Sequence, residues 1–337
     1  MTQSSSPASL PLTLGLWLIR LLLALLLLVG SEILVWTNPP GRELLDWPLM
    51  LLAYTVVAAL LLDILVRYRV RDLFGAMLLA GLYSLTASLT LNPESLLADM
   101  PRTLITRIMG IHGFMALEMI GLFLVLTGGQ PSRRTNRLLL VSSLIVGLAW
   151  GIWGRWFPAD NQYPEIALPA LLVYGAVSAG LIGGVLALLP ARTGGLTPDH
   201  LRLSRGEWGG LFLALLALLA LRWLQLVIPI GAALMVLPVL ILCWVILWFR
   251  GRATGKTLLD LHLPVAPPAW GHLTRALVVF LVAASVSYNL PLLQVGDFNQ
   301  FTLIGVGFTA YGLAWLPTVS LVLGAQAYLR QLQVRQG

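Results

Sequence analysis

Charged side chains inside long apolar stretches are the residues of this chain most able to do chemistry, and Glu118 is the most unusual of them. The chain has 337 residues, of which 58% are hydrophobic and only 10% are charged. Glu118 lies in the apolar stretch 104–127, about 20 Å from its outer end and about 15 Å from its inner end at the rise of an α-helix. A carboxylate at that depth must be protonated, paired or hydrated. We therefore expect Glu118 to exchange a proton or a cation.

Two further charges and a histidine accompany Glu118. Arg107 precedes it by about three helical turns, which places both side chains on one helix face, about 16 Å apart, where they could line a polar track. Glu32 and Arg107 both lie within about 6 Å of the outer boundary, so they are candidates for a structural or gating ion pair. His112 projects about 140° away from Arg107 and is either a hydrogen-bonded structural histidine or a proton relay.

The remaining embedded polar residues have structural and functional interpretations. Arg222 either recognises an anion or extends its head to the outer surface. Asn289, just ahead of Pro291, either lines a site at a break in the helix or satisfies a kink. Arg20 and Asp63 both lie within about 10 Å of the inner boundary. They either pair with each other, or Arg20 reaches the surface alone.

The elements that must position these residues are membrane-spanning helices. The mean hydropathy of +0.87 leaves too little polar surface for a soluble globule, and about 20 apolar residues cross a bilayer as a helix. The sequence predicts an all-α, polytopic integral membrane protein, one domain over residues 1–337 with a polar tail at residues 1–10. Its ten transmembrane helices are predicted at 12–36, 47–66, 72–91, 104–127, 136–154, 166–189, 208–228, 230–249, 272–294 and 302–328.

Basic residues predict the orientation of these helices. When the chain is threaded as ten alternating spans, fifteen of its 21 Lys and Arg fall on one face. The opposite face carries Arg42, Arg102, Arg107 and Arg155. Because cytoplasmic loops are enriched in Lys and Arg, both termini are expected in the cytoplasm, which favours the cytoplasmic membrane of a bacterial-type cell. The first span also has the outline of a signal peptide, but the uncharged residues before it favour a retained helix.

The two halves of the chain differ in their proline content. Pro238, Pro291 and Pro317 are expected to kink the eighth, ninth and tenth spans of residues 161–337, whereas the spans of residues 1–160 are expected to be straighter. Five spans in each half would suit an inverted repeat, although residue identity shows none. Glycine pairs at fourfold spacing, at Gly147/Gly151 and Gly180/Gly184, predict close helix packing.

One inner loop resembles a known family. Residues 251–277 contain Gly251, Gly255, Lys256, a Leu-Leu-x-Leu segment, Pro267 and Arg275, and this pattern resembles the inner loop of the RDD family of small bacterial membrane proteins. The resemblance covers roughly a tenth of the chain and implies a role related to transport. A basic loop that contacts anionic lipid headgroups is the alternative interpretation.

Composition and motifs exclude several classes of function. The chain has a single cysteine, Cys243, so it can form neither an intramolecular disulfide nor a thiolate metal site. It contains no HExxH, GxSxG or Asp-rich motif, so no catalytic residue, metal or cofactor is predicted. The basic residues mark orientation, and no nucleic acid is expected.

The expected function is therefore that of a membrane protein. A secondary transporter or permease of a small solute or ion leads, with Glu118 as its coupling carboxylate. The alternatives are a non-catalytic subunit or scaffold that binds other membrane subunits, and a lipid-modifying enzyme. The partners expected are the lipid bilayer and either a small solute or other subunits.

Overall fold

The computed structural model describes residues 10–35, 41–93, 99–160, 165–189, 196–225, 230–251, 256–263, 268–296 and 298–336. Ten helical segments there are long and apolar enough to cross a membrane, in agreement with the predicted spans. The predicted polar tail lies almost wholly outside the described residues. The helices are α1 (Leu10–Leu28), α2 (Asp46–Arg67), α3 (Leu73–Thr90), α4 (Gly113–Thr127), α5 (Arg133–Asp160), α6 (Leu168–Leu188), α7 (Arg205–Gln225), α8 (Ile230–Gly251), α9 (Trp270–Asn289) and α10 (Gln300–Gln336).

Two of the spans contain π-helix, which the sequence did not predict. The first π-helix, Val29–Leu34, continues α1, and the second, Leu104–His112, leads into α4. The i→i+5 bonds of a π-helix widen the turn and rotate the side chains that follow, and such segments are frequent at functional sites. Both lie in the half of the chain that was expected to be the more regular. Beyond the ten spans, two 3₁₀ turns (Pro198–Leu201 and Leu259–Leu261) and a hairpin of β1 (Gln294–Val295) and β2 (Phe298–Asn299) complete the described elements.

Local signals explain several helix ends. The Asp72 carboxylate accepts the Gly75 N–H at 2.8 Å and so caps the start of α3. α9 ends at Asn289, and Leu290 is extended (φ −68°, ψ 139°), as expected for a residue that precedes proline. Pro291 therefore follows α9 and does not kink it, contrary to the prediction. Pro238 and Pro317 do lie inside α8 and α10.

The helices form a central group and a peripheral one. In α1 to α4, counted with their π-helices, between 56% and 72% of the residues in the apolar 18-residue stretch of each span are buried. In α5 to α10 this share is 28% or less. No residue in the apolar stretch of α7 is buried. All ten are similarly apolar, so packing determines the difference. The first four spans form a core that the other six partly surround.

Glycine allows two peripheral helices to pack closely. A Cβ at Gly147 would lie 2.4 Å from the Phe280 carbonyl oxygen, and one at Gly151 would lie 2.2 Å from the Ala284 carbonyl oxygen. The predicted close packing at Gly147/Gly151 is thus confirmed, and its partner is α9. At the second pair, Gly180/Gly184, a Cβ would meet no described atom within 4 Å, so no described helix packs closely there.

Contacts between loops and helix ends define two faces of the bundle. At the proximal face, where α1 begins and α10 ends, the Leu203 N–H donates to Asp63, and the Leu258 N–H donates to the Val70 carbonyl at 2.8 Å. At the opposite, distal face, Arg222 at the end of α7 reaches carbonyls at the end of α3. These contacts join ends of helices that the alternating arrangement of the ten spans places on the same face.

Candidate functional site

Four carboxylates lie in the described apolar spans, beyond the first residue of each: Glu32, Asp63 and Glu118 lie deeper in their helices, and Glu207 is exposed in the first turn of α7. A bare carboxylate in hydrocarbon is unfavourable by several kcal/mol, so what compensates each charge indicates whether the residue is structural or functional. Three of the four have an arginine partner. The fourth, Glu118, has no such partner among the described residues.

Glu32 is the centre of a buried network near the distal face. Its side chain is fully buried; the Tyr54 hydroxyl donates to Oε1 at 2.8 Å, and Arg42 donates to Oε2 at 2.5 Å. The hydroxyls of Ser31 and Tyr83 share a hydrogen bond of 2.7 Å beside it. Thus α1, α2, α3 and the segment before α2 are joined by polar contacts at one depth.

The predicted pair of Glu32 and Arg107 is therefore wrong. Arg42 occupies the carboxylate, and Arg107 is exposed. Arg107 also lies in the second π-helix, whose wider turns invalidate the α-helical spacing that placed it on the face of Glu118. The structure does not bring Arg107, Glu32 and Glu118 together as one track.

Asp63 and Arg20 do not pair with each other, and each pairs with a different residue. Arg67 forms two hydrogen bonds with the Asp63 carboxylate, at 2.8 and 2.9 Å, and the Trp208 indole N–H donates to it at 2.8 Å. Arg20 is buried, lies over the Trp17 ring at 4.5 Å and pairs with Glu207 at 3.3 Å. Both residues form structural ion pairs, as expected, but within separate clusters.

Glu118 has a different environment. It is half-buried, and its Oε2 accepts the Ser142 hydroxyl of α5 at 3.1 Å. No other hydrogen bond and no ion pair reaches it from the residues that the structure describes. Beside it on α4, Gly121 is exposed, and a Cβ there would meet nothing described within 4 Å. No described helix therefore fills the space beside α4 at Gly121.

The helices around Glu118 account for that space. Although α4 and α5 are consecutive, α4 packs on α1 and α3, whereas α5 packs along α9. An apolar cleft remains between α5, α10 and the span that carries Glu118. Its lining includes Met115, three residues before Glu118, and Val146, four residues after Ser142. Glu118 and Ser142 are not among the lining residues and lie about one helical turn beyond Met115 and Val146.

His112 is buried, and its Nδ1 has no hydrogen-bond partner among the described residues. The expectation that His112 is a hydrogen-bonded structural histidine is thus not met among the described residues. A second polar atom of this kind is the Tyr311 hydroxyl of α10, whose ring packs edge-on against Phe114 at 5.3 Å. Gly113 lies close to Tyr311, so both groups belong to the junction of the second π-helix with α10.

Arg222 and Asn289 satisfy backbone groups. The Arg222 guanidinium donates to the carbonyls of Thr90 and Leu91 at 3.4 and 3.5 Å, and so stabilises the C-terminus of α3 as a cation can. The Asn289 amide donates to the Ser285 carbonyl at 2.7 Å, and its side chain is exposed. Neither residue lies in the cleft, and the geometry favours a structural role for both.

Sequence reasoning missed Arg42, Tyr54, Tyr83 and Ser142, which bind the embedded carboxylates or support their network. Arg42 was assigned to a loop, and only the fold shows that the loop turns back onto Glu32. The two tyrosines carried a usable signal, because a buried tyrosine hydroxyl in an apolar helix usually needs a polar partner. Ser142 carried none, since serine is common in such helices.

The loop of residues 256–263 packs on the bundle. Leu259 is buried, and His262 hydrogen-bonds the Leu124 carbonyl at the end of α4. Burial lowers the pKa of His262, an effect that this bond partly offsets. Gly255 and Pro267, which carry part of the RDD pattern, lie outside the described residues, so the resemblance stays a prediction.

Within the described ranges, no three His, Cys, Asp or Glu side chains are grouped closely enough to hold a metal ion. The candidate site is thus a single carboxylate with a hydroxyl partner at the margin of an apolar cleft. A search of protein-family models, curated proteins and solved structures finds no match to the chain.

Proposed function

We propose that the chain is a multi-pass protein of a cytoplasmic membrane, with its proximal face in the cytoplasm. The support is the excess of Lys and Arg in the loops of that face, fifteen of 21. Cysteines introduced at Gln130 on the proximal side and at Gly41 on the distal side test the orientation, because the native Cys243 is buried. In intact cells a membrane-impermeant maleimide should label only the cysteine at position 41.

We infer that the protein is a secondary transporter or permease of a small solute or ion, with Glu118 as its coupling carboxylate. The observation that carries this proposal is that Glu118, unlike Glu32 and Asp63, has no arginine partner among the described residues and lies about one turn from Met115 in the cleft wall. A permanent ion pair holds its charge in place, whereas a carboxylate with only a serine partner can exchange its proton for a ligand.

The surrounding structure supplies a fixed part and a deformable part. The polar clusters around Glu32 and Asp63 join α1, α2, α3 and α7 and suit a rigid core. α8 and α10 contain Pro238 and Pro317, each of which removes a backbone hydrogen bond. Movement of α10 relative to α5 would open or close the cleft that lies between them.

Proton flux in proteoliposomes tests the assignment. The Glu118→Gln variant keeps the size of the side chain and its contact with Ser142 but cannot ionise. We expect it to lose proton flux while remaining folded and monodisperse. Glu165→Gln, which removes an exposed carboxylate before α6, is the matched control and should retain flux. Full flux in a folded Glu118→Gln variant would refute the coupling role.

A second candidate, a non-catalytic subunit of a larger membrane complex, is favoured by α7. No residue in its apolar stretch is buried against the described chain, and a Cβ at Gly206, Gly209 or Gly210 would meet no described atom within 4 Å. A partner helix could approach that surface closely. Purification in mild detergent distinguishes the candidates: stoichiometric companions would support the subunit, and an isolated chain that conducts protons supports transport.

A further inference from the structure

Four exposed arginines lie near the starts of two neighbouring helices. Arg133, Arg134 and Arg137 belong to the first two turns of α5, and Arg275 belongs to the second turn of α9. No described carboxylate lies within ion-pairing distance of any of them. Together these four residues are the arginine patch.

The packing of α5 on α9 brings these starts side by side. Gly147 of α5 lies against Phe280 of α9, and Gly151 lies against Ala284, so the two helices run parallel. The loop of residues 256–263, which precedes α9, hydrogen-bonds the end of α4, which precedes α5. Both helices therefore begin at the same place on the proximal face.

The register of the two helices aligns the arginines in depth. Continued toward the proximal face, it places Arg137 level with Trp270, the first residue of α9. Arg275 lies deeper, but its Nε donates to the Gly271 carbonyl at 3.0 Å, so its side chain points back to the start of α9. The guanidinium groups of the patch thus lie at similar depths.

The described chain does not compensate this positive charge. Neither α5 nor α9 has an acidic residue in its first turn, and the positive end of a helix dipole makes cations there unfavourable. The Asp260 carboxylate of the preceding loop accepts the N–H and the hydroxyl of Thr257 instead. Elsewhere on this face Arg67 is paired with Asp63. The arginine patch therefore suits an anion from outside the chain.

An apolar surface continues from the patch toward the middle of the membrane. Leu138 and Val141 of α5 and Val278 and Val282 of α9 are exposed, and Trp270 is exposed at the boundary, where tryptophan is enriched in membrane proteins. A partner that matches both features has a phosphate group, which guanidinium binds well, and apolar chains. A zwitterionic headgroup fits less well, because it places its own cation near the arginines.

We propose that the arginine patch binds anionic phospholipid, with the phosphate at the guanidinium groups and the acyl chains along the exposed apolar faces of α5 and α9. This interaction goes beyond the proposed transport function and does not depend on it.

Binding of two lipids with the same acyl chains to the purified full chain tests the proposal. Native mass spectrometry in mild detergent gives the dissociation constants of palmitoyl-oleoyl phosphatidylglycerol and palmitoyl-oleoyl phosphatidylcholine. Each basic residue near an anionic lipid strengthens binding about fivefold. We therefore expect the anionic lipid to bind at least about 10-fold more tightly than the zwitterionic one. In a triple variant with Arg133→Gln, Arg134→Gln and Arg137→Gln, the dissociation constant of phosphatidylglycerol should rise at least about 10-fold, and that of phosphatidylcholine should stay the same.

A matched triple variant separates the patch from the overall charge of the face. Arg69→Gln, Arg202→Gln and Arg205→Gln remove the same charge from exposed positions between α2 and α7, and should raise the dissociation constant of phosphatidylglycerol by less than about threefold. Equal affinity of the wild type for the two lipids, or equal effects of the two triple variants, would overturn the proposal. Displacement of phosphatidylglycerol by an equal concentration of inorganic phosphate would identify a site for free phosphate and would also contradict it.

Discussion

Glu32 and Glu118 are both glutamates in apolar helices, but only one of them has its charge compensated. Glu32 is fully buried between α1, α2 and α3 and receives hydrogen bonds from Arg42 and Tyr54. Glu118 is half-buried at the gap between α4 and α5 and receives one hydroxyl from Ser142. The difference indicates that the first carboxylate holds helices together and that the second is available to a ligand.

The same contrast separates two regions of the molecule. Around Glu32 and Asp63, carboxylates and arginines are matched, so a partner that is removed leaves a buried group unsatisfied. At the cleft, removal of the Glu118 charge leaves no cation behind among the described residues. Substitutions in the first region should therefore lower stability, and substitutions in the second should lower activity.

The largest loss of stability is expected at Asp63. In Asp63→Ala the Leu203 and Trp208 N–H groups and the Arg67 guanidinium lose their acceptor. We expect the free energy of unfolding in detergent to fall by about 3 kcal/mol or more, as for other buried pairs that lose one partner. Glu118→Gln should lower it by about 1 kcal/mol at most. Equal losses would contradict the contrast between the two regions.

A smaller loss is expected at Arg42. The Arg42→Ala variant leaves Glu32 without its cation, which we expect to destabilise the protein by about 2 kcal/mol, because the carboxyl can take up a proton. Adding Glu32→Gln should recover part of that loss, since the buried charge is then absent. Additive losses in the double variant would show that the two side chains are not coupled.

The rigidity of the α5 wall can be tested at Gly151. A Cβ there meets the Ala284 carbonyl oxygen at 2.2 Å, so Gly151→Ala must separate α5 from α9. We expect a loss of about 1–3 kcal/mol in the free energy of unfolding, typical of overpacking. Gly180→Ala, at a site with open space, is the control and should change stability by less than about 0.5 kcal/mol.

The smallest effect is expected at His262, outside the spans. Its pKa in the folded protein is lowered by burial, so the unfolded chain binds more protons once the pH falls below about 6.5. Stability should be constant above that pH and decline below it. His262→Gln should make the decline shallower in thermal unfolding scans at pH 8 and pH 5.5. An unchanged pH dependence would exclude His262 as its source.

The ten helices could be predicted because long apolar runs bounded by charges fix the number of spans, although α9 and α10 end at Asn289 and Gln336 instead of at 294 and 328. The depth of Glu118 was also readable from position along its span. The partners of Glu32 and Asp63 were not, since Arg42 and Trp208 reach them from segments whose placement depends on tertiary packing. The π-helix around Arg107 has no signal in residue type, and it alone changes which face Arg107 occupies.

The cleft could not be predicted from the sequence, for a related reason. It exists because α5 packs along α9 through Gly147 and Gly151 and therefore does not pack closely along α4. The glycine spacing predicted a close contact but not the identity of its partner. Which helix faces Glu118 follows from that choice.

The reactivity of the embedded carboxyl groups tests the central claim most directly. Dicyclohexylcarbodiimide is apolar and adds to a protonated, accessible carboxyl group, leaving a stable N-acylurea that mass spectrometry of peptides can locate. We expect Glu118 to be modified in the native protein, while Glu32 and Asp63 stay unmodified until the protein unfolds. Modification of Glu32 or Asp63 as fast as that of Glu118, or an unreactive Glu118, would contradict the account.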